Sequence, residues 1–158
     1  MDRRIVLGAM LLSAVSVPGG AQPVPVPWKP LSTILQGVES KDARTVFSAE
    51  NHRKRWEVVS CEGRRGMVCR GDIIDRATGA VIRSEREMVV DMRPPADGLR
   101  ASAIARRIEA AGFGDIRELE WDTRNWEARV RNAAGRAEID IDPRTGAVRR
   151  CEGPGCTK

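Results

Sequence analysis

The chain has no tyrosine, two phenylalanines and a single histidine in 158 residues, and each scarcity removes a class of function. One histidine cannot supply the pair required by an H-E-x-x-H zinc site, and neither a glycine-rich phosphate loop nor an EF-hand loop occurs. His52 lies in Asn51-His52-Arg53-Lys54, a turn with basic neighbours, where a solvated side chain is expected rather than a catalytic base. The four cysteines lack the paired C-x-x-C spacing of a structural zinc site, since the gaps are seven and four residues. The apolar run from Ile5 to Val17 is about 13 residues, too short for a helix to cross a hydrocarbon core of about 30 Å. Nor are the basic residues gathered into a stripe. They are scattered among acidic ones, which argues against a nucleic-acid partner.

What is present begins with MDRRIVLGAMLLSAVSVPGGAQ, a basic start, an apolar run and a small-residue exit, the pattern of a secretory signal peptide cut after Ala21. No cysteine follows the exit, so no lipoprotein anchor is expected, and Arg3-Arg4 leaves both the general and the twin-arginine export routes open. Without residues 1–21 the formal charge falls from +5 to +4, because Arg3 and Arg4 leave with Asp2. So mild an excess supports only a weak preference for acidic partners or anionic surfaces. Cys61, Cys69, Cys151 and Cys156 are an even set in a chain bound for an oxidising, periplasmic or extracellular compartment, so disulfides are expected. Of the three connectivities, Cys61 with Cys69 and Cys151 with Cys156 is preferred because each closes a short local loop.

Shifted by 70 positions, Ser32–Val58 falls without a gap on Ser102–Ala128, matching Ser32 with Ser102, Ile34 with Ile104, Glu39 with Glu109, Glu50 with Glu120, Trp56 with Trp126 and Glu57 with Glu127. Three extra residues in CEGRRGMVC then change the shift to 67, and Asp75, Thr78, Gly79, Ala80 and Val81 meet Asp142, Thr145, Gly146, Ala147 and Val148. Conserved order, spacing and a Trp-Glu pair indicate a duplication. The predicted layout is a signal peptide over 1–21, a proline-rich lead over 22–30 carrying Trp28 as part of a tether, repeats over 31–92 and 93–151, and a tail over 152–158.

In the second repeat Leu99, Ile104, Ala105, Ile108 and Ala111 recur at helical spacing, with Asp97 predicted as the N-terminal cap and Gly112 as the left-handed terminator. Then WEARVR and AEIDID alternate strictly, with Trp126, Ala128, Val130, Ala137, Ile139 and Ile141 on one side and charges on the other. Period two with one polar side predicts antiparallel strands that bury a single face. Asp142-Pro143-Arg144-Thr145-Gly146 is a turn, with proline presetting its dihedral and glycine supplying a positive φ. The first repeat follows the same plan, with a helix over Pro30–Val38 and Trp56 facing inward. There Arg70 and Asp72 break the inward parity and predict a bulge, while Cys61 and Cys69 fall on the face away from the helix.

A helix followed by a four-stranded meander, with tryptophan in the second strand and D-P-x-T-G-x-V before the last, resembles the PepSY domain family of exported bacterial proteins. The resemblance is carried by Ile104, Ile108, Gly112, Trp126, Glu127, Gly135, Asp142, Pro143, Thr145, Gly146 and Val148. It covers Asp97–Arg150 well and Leu31–Glu85 more weakly, since Arg76 stands where the motif has proline. It implies an α+β fold in which two tandem α-β-β-β-β repeats form one extended antiparallel sheet with both helices on one face. It also implies a role in restraining a peptidase or binding another envelope protein, and brings no catalytic residues.

The functional expectation is an exported, non-enzymatic, monomeric binding module with no cofactor, holding an envelope or secreted protein through its charged sheet face. Glu127, Arg129 and Arg131 are the candidate contacts. The alternative is a small-molecule or metal-ion sensing domain. A hydrolase using paired carboxylates among Glu118, Glu120, Glu127, Glu138, Asp140 and Asp142 is a third reading, opposed by the interleaved Arg117, Arg129 and Arg131, which account for those carboxylates as ion-pair partners.

Overall fold

The computed structural model describes residues 28–41, 43–62, 68–89 and 93–156; the signal-peptide segment, most of the proline-rich lead and the end of the tail lie outside them. The first repeat runs α1 (Leu31–Ser40), β1 (Thr45–His52), β2 (Arg55–Glu62), β3 (Val68–Asp75) and β4 (Val81–Glu87). The second runs α2 (Ala101–Ala110), β5 (Asp115–Asp122), β6 (Asn125–Asn132), β7 (Gly135–Ile141) and β8 (Val148–Glu152). All strands join one eight-stranded sheet in the order β4-β3-β2-β1-β5-β6-β7-β8, antiparallel at every pairing. The two meanders therefore meet through their first strands. The helices touch each other and both touch β1, so they share one face. This is the α+β arrangement expected from the sequence.

Alternation explains the layering. Trp56 and Val58 on β2, Leu119 and Trp121 on β5, Trp126, Ala128 and Val130 on β6, and Ala137, Ile139 and Ile141 on β7 are all buried. They form one core with Leu35 of α1 and Ile104 and Ile108 of α2, each large side chain contributing about 1.5–3 kcal/mol by leaving water. A helix of ten residues is marginal alone, and this burial holds it.

The repeat extends to the irregularities. The β1–β2 register shifts between Val46 and Ser48, and the β5–β6 register between Ile116 and Glu118; these positions are 70 apart. The β3–β4 register shifts between Ile73 and Ile74, and the β7–β8 register between Asp140 and Ile141, 67 apart. The bulge predicted near Arg70 and Asp72 is absent from the β2–β3 pairing, which runs without a break from Arg55↔Asp75 to Glu62↔Val68; the neighbouring shift, beside Ile73, lies on the β4 side, where Ile82 is the extra residue. Asp72 instead stays on the helix face and is buried, its carboxylate 3.1 Å from Nη1 of the buried Arg44, which also donates to Ser60 Oγ. Ser84 donates its hydroxyl to the other oxygen of Asp72. A paired polar cluster, not a break in pairing, accounts for the lapse in parity.

The helix starts also differ from expectation. α1 runs to Ser40, two residues past the predicted end, and α2 begins at Ala101 without a side-chain cap from its own segment. Asp97 pairs instead with Arg144, at 2.9 Å. The first turns are served across the repeat boundary. Ser32 donates its N–H and hydroxyl to the Glu109 carboxylate, at 3.1 and 2.6 Å, and Ser102 donates its N–H to Glu39 at 3.2 Å and its hydroxyl to the same carboxylate. Gly112, with φ 89°, ends α2 in the left-handed region as predicted.

Candidate functional site

Most of the positions that carry the family resemblance lie in the core or in turns, with Glu127 and Val148 exposed. Asp142 Oδ1 accepts from the backbone N–H of Arg144 and Thr145, at 2.8 and 2.7 Å, while Gly146, with φ 70°, donates to the Asp142 carbonyl. Asp75 repeats the pattern with Ala77, Thr78 and Gly79. The turn also anchors its helix: Leu99 N–H donates to the Pro143 carbonyl at 2.7 Å, and Lys29 N–H to the Arg76 carbonyl at 2.9 Å. These backbone bonds hold the Asp142 carboxyl down to about 2 and lower that of Asp75. Trp56 and Trp126 are core anchors in equivalent places. Trp28, predicted as part of a tether, is engaged: the Arg76 guanidinium lies 5.3 Å from its ring centroid and 5.5 Å from that of Trp56. Arg76 takes the place of proline and builds a cation–π sandwich.

Cys61 is bonded to Cys69 across the β2–β3 hairpin, and Cys151 to Cys156 at the end of β8. Both bonds suit an extracytoplasmic compartment. No helix among the described residues is long and apolar enough to cross a membrane.

The face opposite the helices carries the charge. Residues paired across strands project on the same side, so the registers place Glu120, Glu127, Asp140 and Arg150 in one row, and Glu50, Glu118, Arg129 and Glu138 in the next. Arg129 pairs with Glu118, and Arg150 lies 3.9 Å from Asp140 and nearer to Glu152. His52 sits within 3.6 Å of both Glu50 and Glu57. Glu127 is pushed up, first by partial burial and then by Asp122, Asp140 and Glu120. Although the chain is basic overall, this part of the sheet is acidic. Arg131 lies at the other end of β6, opposite Asp115 on β5 and Arg136 on β7. Glu127, Arg129 and Arg131 are thus all exposed on one strand, spanning an acidic zone and a basic one.

Residues 90–152 match the model of the family described as the peptidase propeptide and YPEB domain. The second repeat is similar to the PepSY domain. The match spans α2 and β5–β8 and stops short of the first repeat, where Arg76, Arg44 and Asp72 depart from the second repeat's sequence. No curated protein matches the chain. A solved structure, that of a "putative lipoprotein" from Clostridium difficile 630, is similar at 15% identity over 80% of this chain and 94% of its own, with a TM-score of 0.47.

Among the described residues no group of three or more His, Cys, Asp or Glu side chains is placed to hold a metal ion. The carboxylates of the charged sheet face are interleaved with arginines. The crossed serine–glutamate pairs went unassigned in the sequence, although both members matched at a shift of 70. The signal was there: identical polar residues at the two ends of one amphipathic helix, repeated in the other.

Proposed function

We propose that the protein is an exported binding module without enzymatic activity, released from residues 1–21 by cleavage after Ala21, whose open sheet face holds a cationic segment of an envelope or secreted protein. The observation that carries this reading is the face of the eight-stranded sheet that no helix among the described residues covers. Both helices lie on the other side, and the row Glu120, Glu127, Asp140 gathers carboxylates whose mutual repulsion a bound lysine or arginine would relieve. The disulfides fit the compartment. The family description fits a partner among peptidases, which the module would restrain rather than assist.

The test is affinity capture by the purified protein from an extract of its own envelope. It is run beside a variant with Glu120→Gln, Glu127→Gln and Asp140→Asn, and the captured protein is then assayed for peptidase activity with and without the module. Saturable capture of one protein, lost in the variant and weakened by added salt, supports the reading. Capture indifferent to both the variant and salt would remove the sheet face from the account.

A further inference from the structure

The two repeats differ where each helix overhangs the outer strands of its own meander. In the second repeat that space is filled: a Cβ placed on Gly146 would lie 2.9 Å from Arg107 Cγ and 3.2 Å from Leu99 Cδ1. The first repeat has Gly37 in place of Arg107 and Lys29 in place of Leu99; at the equivalent Gly79 a Cβ would lie 3.4 Å from Lys29 Nζ and 3.5 Å from Ile34 Cδ1, a looser fit, and one on the exposed Gly37 would meet nothing within 4 Å. The result is an open cleft of about 380 Å³ between α1 and the β3–β4 hairpin, within the range of about 300–1,000 Å³ usual for small-molecule sites.

Its lining is chemically distinct from that of its counterpart. Lys41, Arg44 and Arg70 stand where the second repeat has Ala111, Gly114 and Ala137. Three cations thus replace small neutral residues around one space, and Lys29 replaces leucine. Asp72, in place of Ile139, is the single acid on this wall, and Arg44 already neutralises it. The buried Arg44 keeps an Nε–H with no hydrogen-bond partner. Lys29 Nζ is fixed by the Thr78 carbonyl at 2.6 Å, leaving further ammonium donors for a ligand. Ile34, Val38 and Ile74 supply apolar wall beside these charges. A fold that keeps apolar packing in one repeat and surrounds a vacant cleft with cations in the other has the features of a binding site, with an excess of positive charge that packing alone does not require.

We propose that the cleft of the first repeat binds a small amphiphilic anion, its apolar chain against Ile34 and Ile74 and its carboxylate or phosphate head held by Lys29, Lys41 and Arg70. The site lies on the helix side of the sheet and is independent of the partner face.

The experiment is calorimetric titration of the purified protein with decanoate and with decyl phosphate below their micelle concentrations, and with decanol and inorganic phosphate as probes of tail and charge alone. Saturable binding of a tailed anion is expected, the two heads distinguishing a carboxylate ligand from a phosphate one. The variant Lys41→Glu/Arg70→Glu, changed at exposed positions, should lose about tenfold or more in affinity, the scale of one lost ionic contact. Gly37→Leu, which fills the open space without touching a charge, should abolish binding while leaving the melting temperature unchanged or higher, since leucine favours a helix more than glycine does. Absence of saturable binding by either tailed anion overturns the proposal. So does equal affinity for decanol or inorganic phosphate, or binding indifferent to Gly37→Leu.

Discussion

Glu39 and Glu109 each lie near the end of one helix and accept hydrogen bonds from the first turn of the other. The first N–H groups of a helix have no intrahelical acceptor, and here the missing caps come from the opposite repeat. Glu39 and Ser102 are both buried, so removing the carboxylate leaves donors without water or protein to satisfy them. Glu39→Ala should therefore cost about 1–3 kcal/mol. Ser102→Ala in the same background should add little beyond its own packing loss, because the shared bonds are already gone. Denaturant unfolding of the four proteins of that double-mutant cycle checks this, and additive losses would mean that the pair is not coupled. The identities at a shift of 70 were legible in the sequence, but their meaning was not. A helix read alone seeks its cap nearby, which pointed to Asp97, whereas the acceptor lies 63 residues away.

Among the elements, the strict alternations were the most legible, because Trp126–Val130 and Ala137–Ile141 place every second side chain in the core. Bulges were less so. Ile116 and Leu119 are both buried though three apart, a slip in parity that marks the β5 bulge, while the similar lapse at Asp72 reflects a buried ion pair instead; charge pattern alone does not separate the two causes. The Asp-x-x-Thr-Gly turn was legible both as a turn and as a duplicate, and it carries a pH dependence. The folded state holds the Asp142 carboxyl at about 2, against an ordinary 3.8, with the Thr145 backbone N–H as the largest cause. A depressed carboxyl contributes stability that is fully present above its unfolded value, near pH 4, and is lost as pH falls through about 2. Asp142→Asn keeps an acceptor but removes the charge. The variant should melt below the parent at neutral pH, with a gap that closes between pH 4 and 2. Thermal melts of both proteins across that range decide it, and a gap constant with pH would place the role of Asp142 in shape rather than charge.

At the scale of the whole molecule, the register at the centre of the sheet defines how the halves belong together. Ala49 faces Leu119, its own counterpart, with Ser48 opposite Glu120 and Glu50 opposite Glu118, so a pseudo-two-fold axis passes between β1 and β5. The same axis relates the crossed serine–glutamate pairs. Each repeat thus lends the other a sheet edge, a helix partner and a cap, although only the second carries the full PepSY pattern. Residues 93–158 alone would expose the β5 edge, uncover the side of α2 that meets α1, and leave Ser102 without Glu39. Replacing the lost half with a second copy of itself is opposed by charge, because Glu118 would face Glu120 at both crossings of the new axis, and like charges directly opposite are destabilising. The fragment should therefore lack a cooperative thermal transition under conditions where the whole chain melts cooperatively, with sedimentation reporting its association state. A sharp, concentration-independent transition from a monomeric fragment would show instead that the second repeat stands alone and that the first was added to a finished domain.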